Sequence, residues 1–377
     1  MYTYEVVDTF DKFKKLQPLW NTLLDQSDIV DAPFMTFEWF ASWWQYYGNN
    51  NKMFVILVRE GSETVGIAPF MRTKMSWRGF PLAAISVMDN YACGETGLIL
   101  QKQHEARKNE IMDSIFRYMQ EHNSRCDILL SISVLKDSVT DKALTGVFRS
   151  RKLEYLTYPT DTSPYIPVQG NWEEYFRSRS RNLRSKLNRV RNLYKRAGDY
   201  KIVKYTEGNM EQAMNELLQV SKKTWKYKAG TAIASSPETT GFFSTLAESL
   251  SRKGWLDIWI LKLNGTPIAS AYNMKYKKKV YASKMGYDED YKHLSPSEFL
   301  NAEAIKDAFE NSMLEFNWLG KADTYKMKWT SFCREHQKYV VFNNTLAGKA
   351  LYLFEANIVA RLKGLRSVRR RAQETAE

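Results

Sequence analysis

The chain has 377 residues, 44% of them hydrophobic and 26% charged, and a formal net charge of +13. That composition excludes a disordered or fibrous chain, and the length is too great for one ordinary core and suits two domains. No apolar run reaches the length of a spanning helix. The positive charge implies attraction to something acidic: phosphate-bearing cofactors, nucleotide-linked sugars, tRNA or an anionic membrane face.

Met1-Tyr2-Thr3-Tyr4-Glu5 lacks the charged start and apolar stretch of a secretory signal, so a cytoplasmic location is expected. Cys93, Cys126 and Cys333 are far apart and odd in number, which argues against a disulfide framework. His104, His122, His293 and His336 show no zinc-ligand spacing, and no metal is expected.

Taken in order, residues 54–58, a turn around Gly61 and residues 65–70 read as a hairpin. A helix over 105–121, a buried strand over 127–133, a helix over 141–150 and a strand over 153–157 follow. Segment 158–164, rich in turn formers, reads as a linker between two halves. Residues 177–196 hold nine Arg or Lys and no acid, with Leu183, Leu187, Val190 and Tyr194 at helical spacing. This predicts a basic amphipathic helix, either a solvated packing helix or one lining an anion-binding surface with Arg181 in it.

The stretch 255–329 is richest in signals. Residues 256–263 form a strand, Asn264-Gly265 marks a tight hairpin, and 266–274 return as its partner. A polar turn at 277–279 leads to a strand over 280–286. A loop, a helix over 298–311 and a strand over 314–319 complete it. The hairpin-then-helix plan of the first half is repeated here, so two similar lobes are expected. Beyond them, Leu351, Phe354, Ile358, Leu362 and Leu365 form a helical stripe, and six basic residues lie between Arg361 and Arg371. This is either a packing helix with a basic end or a peripheral contact with acidic lipids.

Gly286-Tyr287-Asp288, Ser295-Pro296-Ser297, Gly320, Tyr325-Lys326 and Trp329 resemble the "YD…sPG…G…YK..W" pattern of GNAT acetyltransferases linked to cellulose and exopolysaccharide synthesis, the CelD-like or BioF2-like group. The resemblance reaches back to about Arg177 and, more faintly, to Thr36, Trp39, Trp43-Trp44 and residues 65–69. It implies an α/β (α+β) fold of two tandem GNAT-like lobes, each a mixed, mostly antiparallel sheet flanked by helices. Residues 1–160 would be a degenerate first lobe, 165–345 the acyltransferase lobe, and 346–377 the basic C-terminal helix. Tandem lobes are also the layout of Fem-type peptidyltransferases.

The resemblance also implies a chemistry. A backbone N–H on a splayed strand would polarise the acyl carbonyl, with Lys284 to Tyr287 near the splay. The cofactor diphosphate would sit at the following helix start, on Lys292, Ser295, Ser297 and Glu298, where serines replace the family's glycines and Pro296 removes a donor. Asp288 would take the proton. Tyr287, Tyr325 and Lys326 would bind the acceptor or protonate the leaving thiolate, although Lys326 could equally pair with Asp323. Trp225 is either an acceptor-cleft aromatic or core, and Asp89-Asn90-Tyr91 resembles the family's Asp-Tyr turn, which implies substrate contacts from Asp89 and Tyr91 at the border of the cleft between lobes.

The implied function is acyl transfer, acetyl by resemblance, from acyl-CoA to an amine or hydroxyl of a sugar or polysaccharide precursor. A Fem-type aminoacyl-tRNA-dependent peptidyltransferase, or a non-catalytic GNAT-like binding protein, stands beside it.

Overall fold

A computed structural model describes residues 2–27, 29, 32–77, 79–89, 96–102 and 107–358. In chain order, the first elements are β1 (Tyr2–Val7), α1 (Phe10–Lys14), α2 (Gln17–Asp25), α3 (Phe37–Tyr47), β2 (Lys52–Glu60), β3 (Glu63–Trp77), β4 (Phe80–Val87) and β5 (Ile99–Leu100). Next come α4 (Lys108–His122), β6 (Ile128–Leu135), α5 (Val139–Ser150), β7 (Tyr155–Pro167), α6 (Trp172–Ser178), α7 (Arg181–Ala197) and β8 (Tyr200–Tyr205). Then α8 (Met210–Lys222), α9 (Trp225–Lys228), α10 (Pro237–Ser251), β9 (Leu256–Leu263), β10 (Thr266–Tyr276) and β11 (Lys279–Tyr287) follow. The last are α11 (Pro296–Glu310), β12 (Glu315–Asn317), α12 (Thr324–Met327) and β13 (Cys333–Phe342), with residues 346–358 helical beyond them.

Two compact units divide the chain. Unit 1 holds Met1–Val30, Asn50–Thr160 and His336–Glu377; unit 2 holds Asp31–Asn49 and Asp161–Glu335. Both differ from a partition at residues 160 and 345, because each unit takes in a segment from the far side of that boundary. In unit 1 the strand order is β1-β2-β3-β4-β6-β13, with β5 on β3, and β4 and β6 are its parallel pair. In unit 2 the order is β7-β12-β11-β10-β9-β8, and β11 and β12 are parallel.

Local sequence explains unit 2 well. Asn264 (φ 49°) and Gly265 (φ 79°) close the β9–β10 hairpin, and Lys277 and Lys278 take the same left-handed region at the next turn. Leu183, Leu187, Val190 and Tyr194 turn the stripe of α7 inward, and Tyr194 stacks on Phe299 of α11 at 4.7 Å. On the opposite face of the sheet, Phe243 of α10 meets Tyr272 edge-on at 5.3 Å. From residues 31–49, α3 joins that layer: Trp39 meets Phe242 at 5.1 Å, and the Tyr46 and Thr245 hydroxyls share a 2.8 Å hydrogen bond.

Three expectations are corrected. Segment 158–164 is not a linker: β7 runs through it, since its Thr and Tyr residues favour strand and proline's fixed φ is compatible with extended backbone. The basic helix of 177–196 is broken at Arg179, where Ser180 caps a new helix by accepting from the Leu183 N–H. The strand expected over 314–319 shortens to Glu315–Asn317. Leu351, Phe354 and Ile358 lie on the terminal helix, whereas Leu362, Leu365 and the basic run lie outside the described residues. Among the described residues no helix is long and apolar enough to cross a membrane.

Candidate active site

The parallel pairing of β11 with β12 covers only Lys279↔Glu315, Val280↔Phe316 and Tyr281↔Asn317. Beyond Tyr281, β11 continues to Tyr287 with that edge unpaired by β12. A groove of about 390 Å³ opens beside it. Met285, Gly286 and Tyr287 line it from β11; Thr224, Trp225 and Lys226 from the start of α9; Ser297, Glu298 and Asn301 from α11; Asp323 and Tyr325 from the start of α12.

Gly286 is required by close approach: a Cβ there would lie 2.6 Å from the Thr224 Cγ2. Next to it, the Lys226 ammonium donates to the Met285 carbonyl at 2.9 Å. The Asp288 N–H donates to the Ile268 carbonyl of β10 at 2.8 Å. Because strand residues alternate in which neighbour they face, even-numbered residues here address β10 and Met285 addresses the groove with both its C=O and its N–H. Its side chain lies on the α11 face, where the Asn301 amide donates to its sulfur at 3.4 Å.

At the other wall α11 begins without a side-chain cap. Ser295 takes left-handed backbone angles (φ 52°, ψ 53°) with its hydroxyl unused for capping, and Pro296 occupies the first helical position. The N–H groups of Ser297 and Glu298 therefore stand at the helix start without intrahelical partners. Glu298 has one carboxylate oxygen on the Lys186 ammonium of α7 at 2.5 Å, while the other is buried without a partner.

The structure distributes the sequence candidates unevenly. Tyr287, Ser297, Glu298, Trp225 and Tyr325 all line the groove. Trp225 is 56% exposed, so it is groove rather than core. Burial, then Glu289, raises the Tyr287 hydroxyl, and burial, then Asp323, pushes Tyr325 up to about 12. Both phenols thus stay protonated at neutral pH and are donors. Lys284 lies on the sheet face away from α11, its amine lowered by burial.

Other candidates sit differently. Asp288 is almost fully buried: it accepts from the Lys223 ammonium at 2.7 Å and caps the short turn after β11 by accepting from the Asp290 N–H. Both of its carboxylate oxygens are engaged, which gives it a fastening place. Lys326 is likewise committed, donating to the carbonyls of Leu319 (2.8 Å) and Lys321 (2.9 Å), with Asp323 at 3.5 Å. Lys292 and Arg181 are exposed and outside the groove, and Ser295 shapes the helix start through its backbone. In unit 1, Asp89 lines a separate recess of about 160 Å³ with Thr73, Ser86, Ser131 and Lys338, whereas Tyr91 lies outside the described residues.

Sequence reasoning missed Lys226 and Asn301. Asn301 was findable, because it stands one helical turn after Ser297 and so shares its face. Lys226 gave no signal of its own. Burial, then Lys284 and Lys326, lowers its amine. Among the described residues no cluster could hold a metal ion.

Residues 181–327 match the family described as acetyltransferase (GNAT) domain. FemX superposes with a TM-score of 0.60 at 12% identity, over 93% of this chain and 99% of FemX. The C-terminal domain of a putative lysylphosphatidylglycerol synthetase from Agrobacterium fabrum gives 0.54 at 11% identity, over 93% and 97% of the two chains. L-PGS from Bacillus licheniformis gives 0.54 at 11% identity, over 89% and 95%. No curated protein matches in sequence. The GNAT match covers the whole of the groove described above, and the three structural relatives share the architecture across both units.

Proposed function

We propose that unit 2 transfers an acyl group from an acyl-CoA to an amine or hydroxyl of a sugar or polysaccharide precursor. One observation carries the reading: the unpaired edge of β11 and the uncapped start of α11 line the same groove. The Met285 N–H is the donor that would meet developing charge on the acyl oxygen, a contact worth roughly 10²–10³ in rate in comparable sites. The N–H groups of Ser297 and Glu298 would receive the diphosphate, as helix starts receive anions. The Trp225, Tyr287 and Tyr325 rings supply apolar faces on which a sugar ring can pack. Tyr287 and Tyr325 are the groove's available proton donors for the leaving thiolate.

Calorimetric titration of the protein with acetyl-CoA and longer acyl-CoAs tests this. Saturable binding is expected, with loss in the Ser297→Glu variant. Equal affinity in that variant would remove the α11 start from the site.

A second reading has its own observation. Pro296 removes one donor, and the Glu298 carboxylate stands at the start of α11, the place a diphosphate would need. A donor without a diphosphate at that point, such as an aminoacyl ester of tRNA, meets neither obstacle. RNA binding that weakens steeply with salt would favour it.

A further inference from the structure

On the face of the unit 2 sheet away from α11, the groove adjoins a smaller recess of about 20 Å³, and the two share Thr224, Lys226, Met285 and Gly286. Lys284 lines this recess. It is the cross-strand partner of Tyr272 and shares that residue's face of the sheet. Its amine lies 5.6 Å from the Phe243 ring and makes no hydrogen bond or ion pair with any described residue.

The groups around it are these. Lys226 reaches in from α9, Ser221 from α8, and Ser270 and Tyr272 from β10. Burial raises the Tyr272 hydroxyl, so it stays neutral, and it points at the Phe243 carbonyl at 3.4 Å. No carboxylate lines the recess. Asp323 opposes the lowering of Lys226, whose ammonium is already committed to the Met285 carbonyl. Of the two lysines, only Lys284 has no anchor for its charge. A buried ammonium without partners is costly, and releasing the proton removes the cost.

We propose that Lys284 is the proton acceptor of the acyl transfer. As the acceptor nitrogen or oxygen bonds to the acyl carbon, its proton passes to the Lys284 Nζ. The bond from the acyl carbon to the leaving group breaks, its electron pair goes to the leaving atom, and the proton on Lys284 passes to that atom. Lys284 ends as the free amine. Lys226 is a positioning residue, because it holds Met285 and so the edge of β11 from which Lys284 projects.

This inference rests on the acyl-transfer reading of the groove, and the experiment separates the two. Lysines of the full chain and of Lys284→Met are reductively methylated with ¹³C-formaldehyde, and their NMR resonances are followed against pH. Thiol release from acetyl-CoA is measured over the same range for the unmodified proteins and for Lys284→Arg. One resonance, missing from Lys284→Met, is expected to titrate below the ordinary lysine range. Thiol release should rise with pH through that midpoint, because only the neutral amine accepts a proton. In both variants it should fall by about 100-fold or more and lose this pH dependence.

Acetyl-CoA affinity and thermal melting of Lys284→Arg should match the parent. A Lys284 resonance titrating with the surface lysines, or a parental pH profile in Lys284→Arg, overturns the proposal. If acetyl-CoA does not bind the parent protein, the donor assignment of the preceding section falls, and the NMR midpoint alone decides for or against Lys284.

Discussion

Lys326 separates fastening from chemistry most sharply. The Lys326→Met variant keeps the buried aliphatic stem and removes the ammonium. Two hydrogen bonds from a charged donor are lost, to Leu319 and Lys321, each worth about 1.5–3 kcal/mol. Lys321 is exposed, so water replaces much of that bond; Leu319 is half-buried, and its carbonyl keeps most of the loss. The contact with Asp323 adds little, because that carboxylate is half-exposed. The expected destabilisation is about 2–3 kcal/mol.

Urea unfolding followed by tryptophan fluorescence measures the loss, with Lys328→Met as an exposed control. Hydrogen exchange should also accelerate across residues 319–323. A Lys326→Met protein within about 0.5 kcal/mol of the control would refute the fastening role and return Lys326 to the catalytic candidates.

Three further outcomes follow from the groove. Gly286→Ala should cost about 1–3 kcal/mol by urea unfolding, because its new Cβ meets the Thr224 methyl, and Thr224→Ser should restore part of it; additive losses would contradict the packing argument. Trp225→Ala should leave stability within about 0.5 kcal/mol, since the ring is mostly exposed, yet weaken acceptor binding by calorimetry. Glu298→Gln should tighten acetyl-CoA by removing negative charge from the start of α11 and freeing Lys186. Unchanged or weaker acetyl-CoA binding in Glu298→Gln would refute that repulsion.

What the sequence revealed depended on how local the physics is. Asn264-Gly265 specified its hairpin because the required left-handed angles belong to those two residues. The stripe of α7 was legible because burial repeats every helical turn. Ser180, by contrast, broke the basic helix with one capping bond that periodicity does not register.

The site was harder to read. The pairing of Tyr287 with Asp288 drew attention to the acid, but only the fold shows Asp288 held by Lys223, sixty-five positions earlier. Lys284 and Lys226 look like other lysines in a basic chain; their environment comes from β10, α8 and α10, which are distant in sequence. Residues 31–49 read as part of the first lobe, yet their aromatic residues pack on α10, and composition could not say which core they would join.

That exchange of segments has a consequence for synthesis. While the ribosome is still making residues 161–335, unit 1 lacks the β13 residues that pair with β6, and α3 waits for α10 to emerge. Unit 1 cannot finish until the residues after unit 2 have been made, and α3 must wait for its partner in unit 2, so contacts far apart in the chain form late and slowly. The nascent chain carries the indole side chains of α3 without their α10 partners until residues 237–251 have been made. Cutting the gene at codon 160 would yield two fragments, each missing part of its own interior.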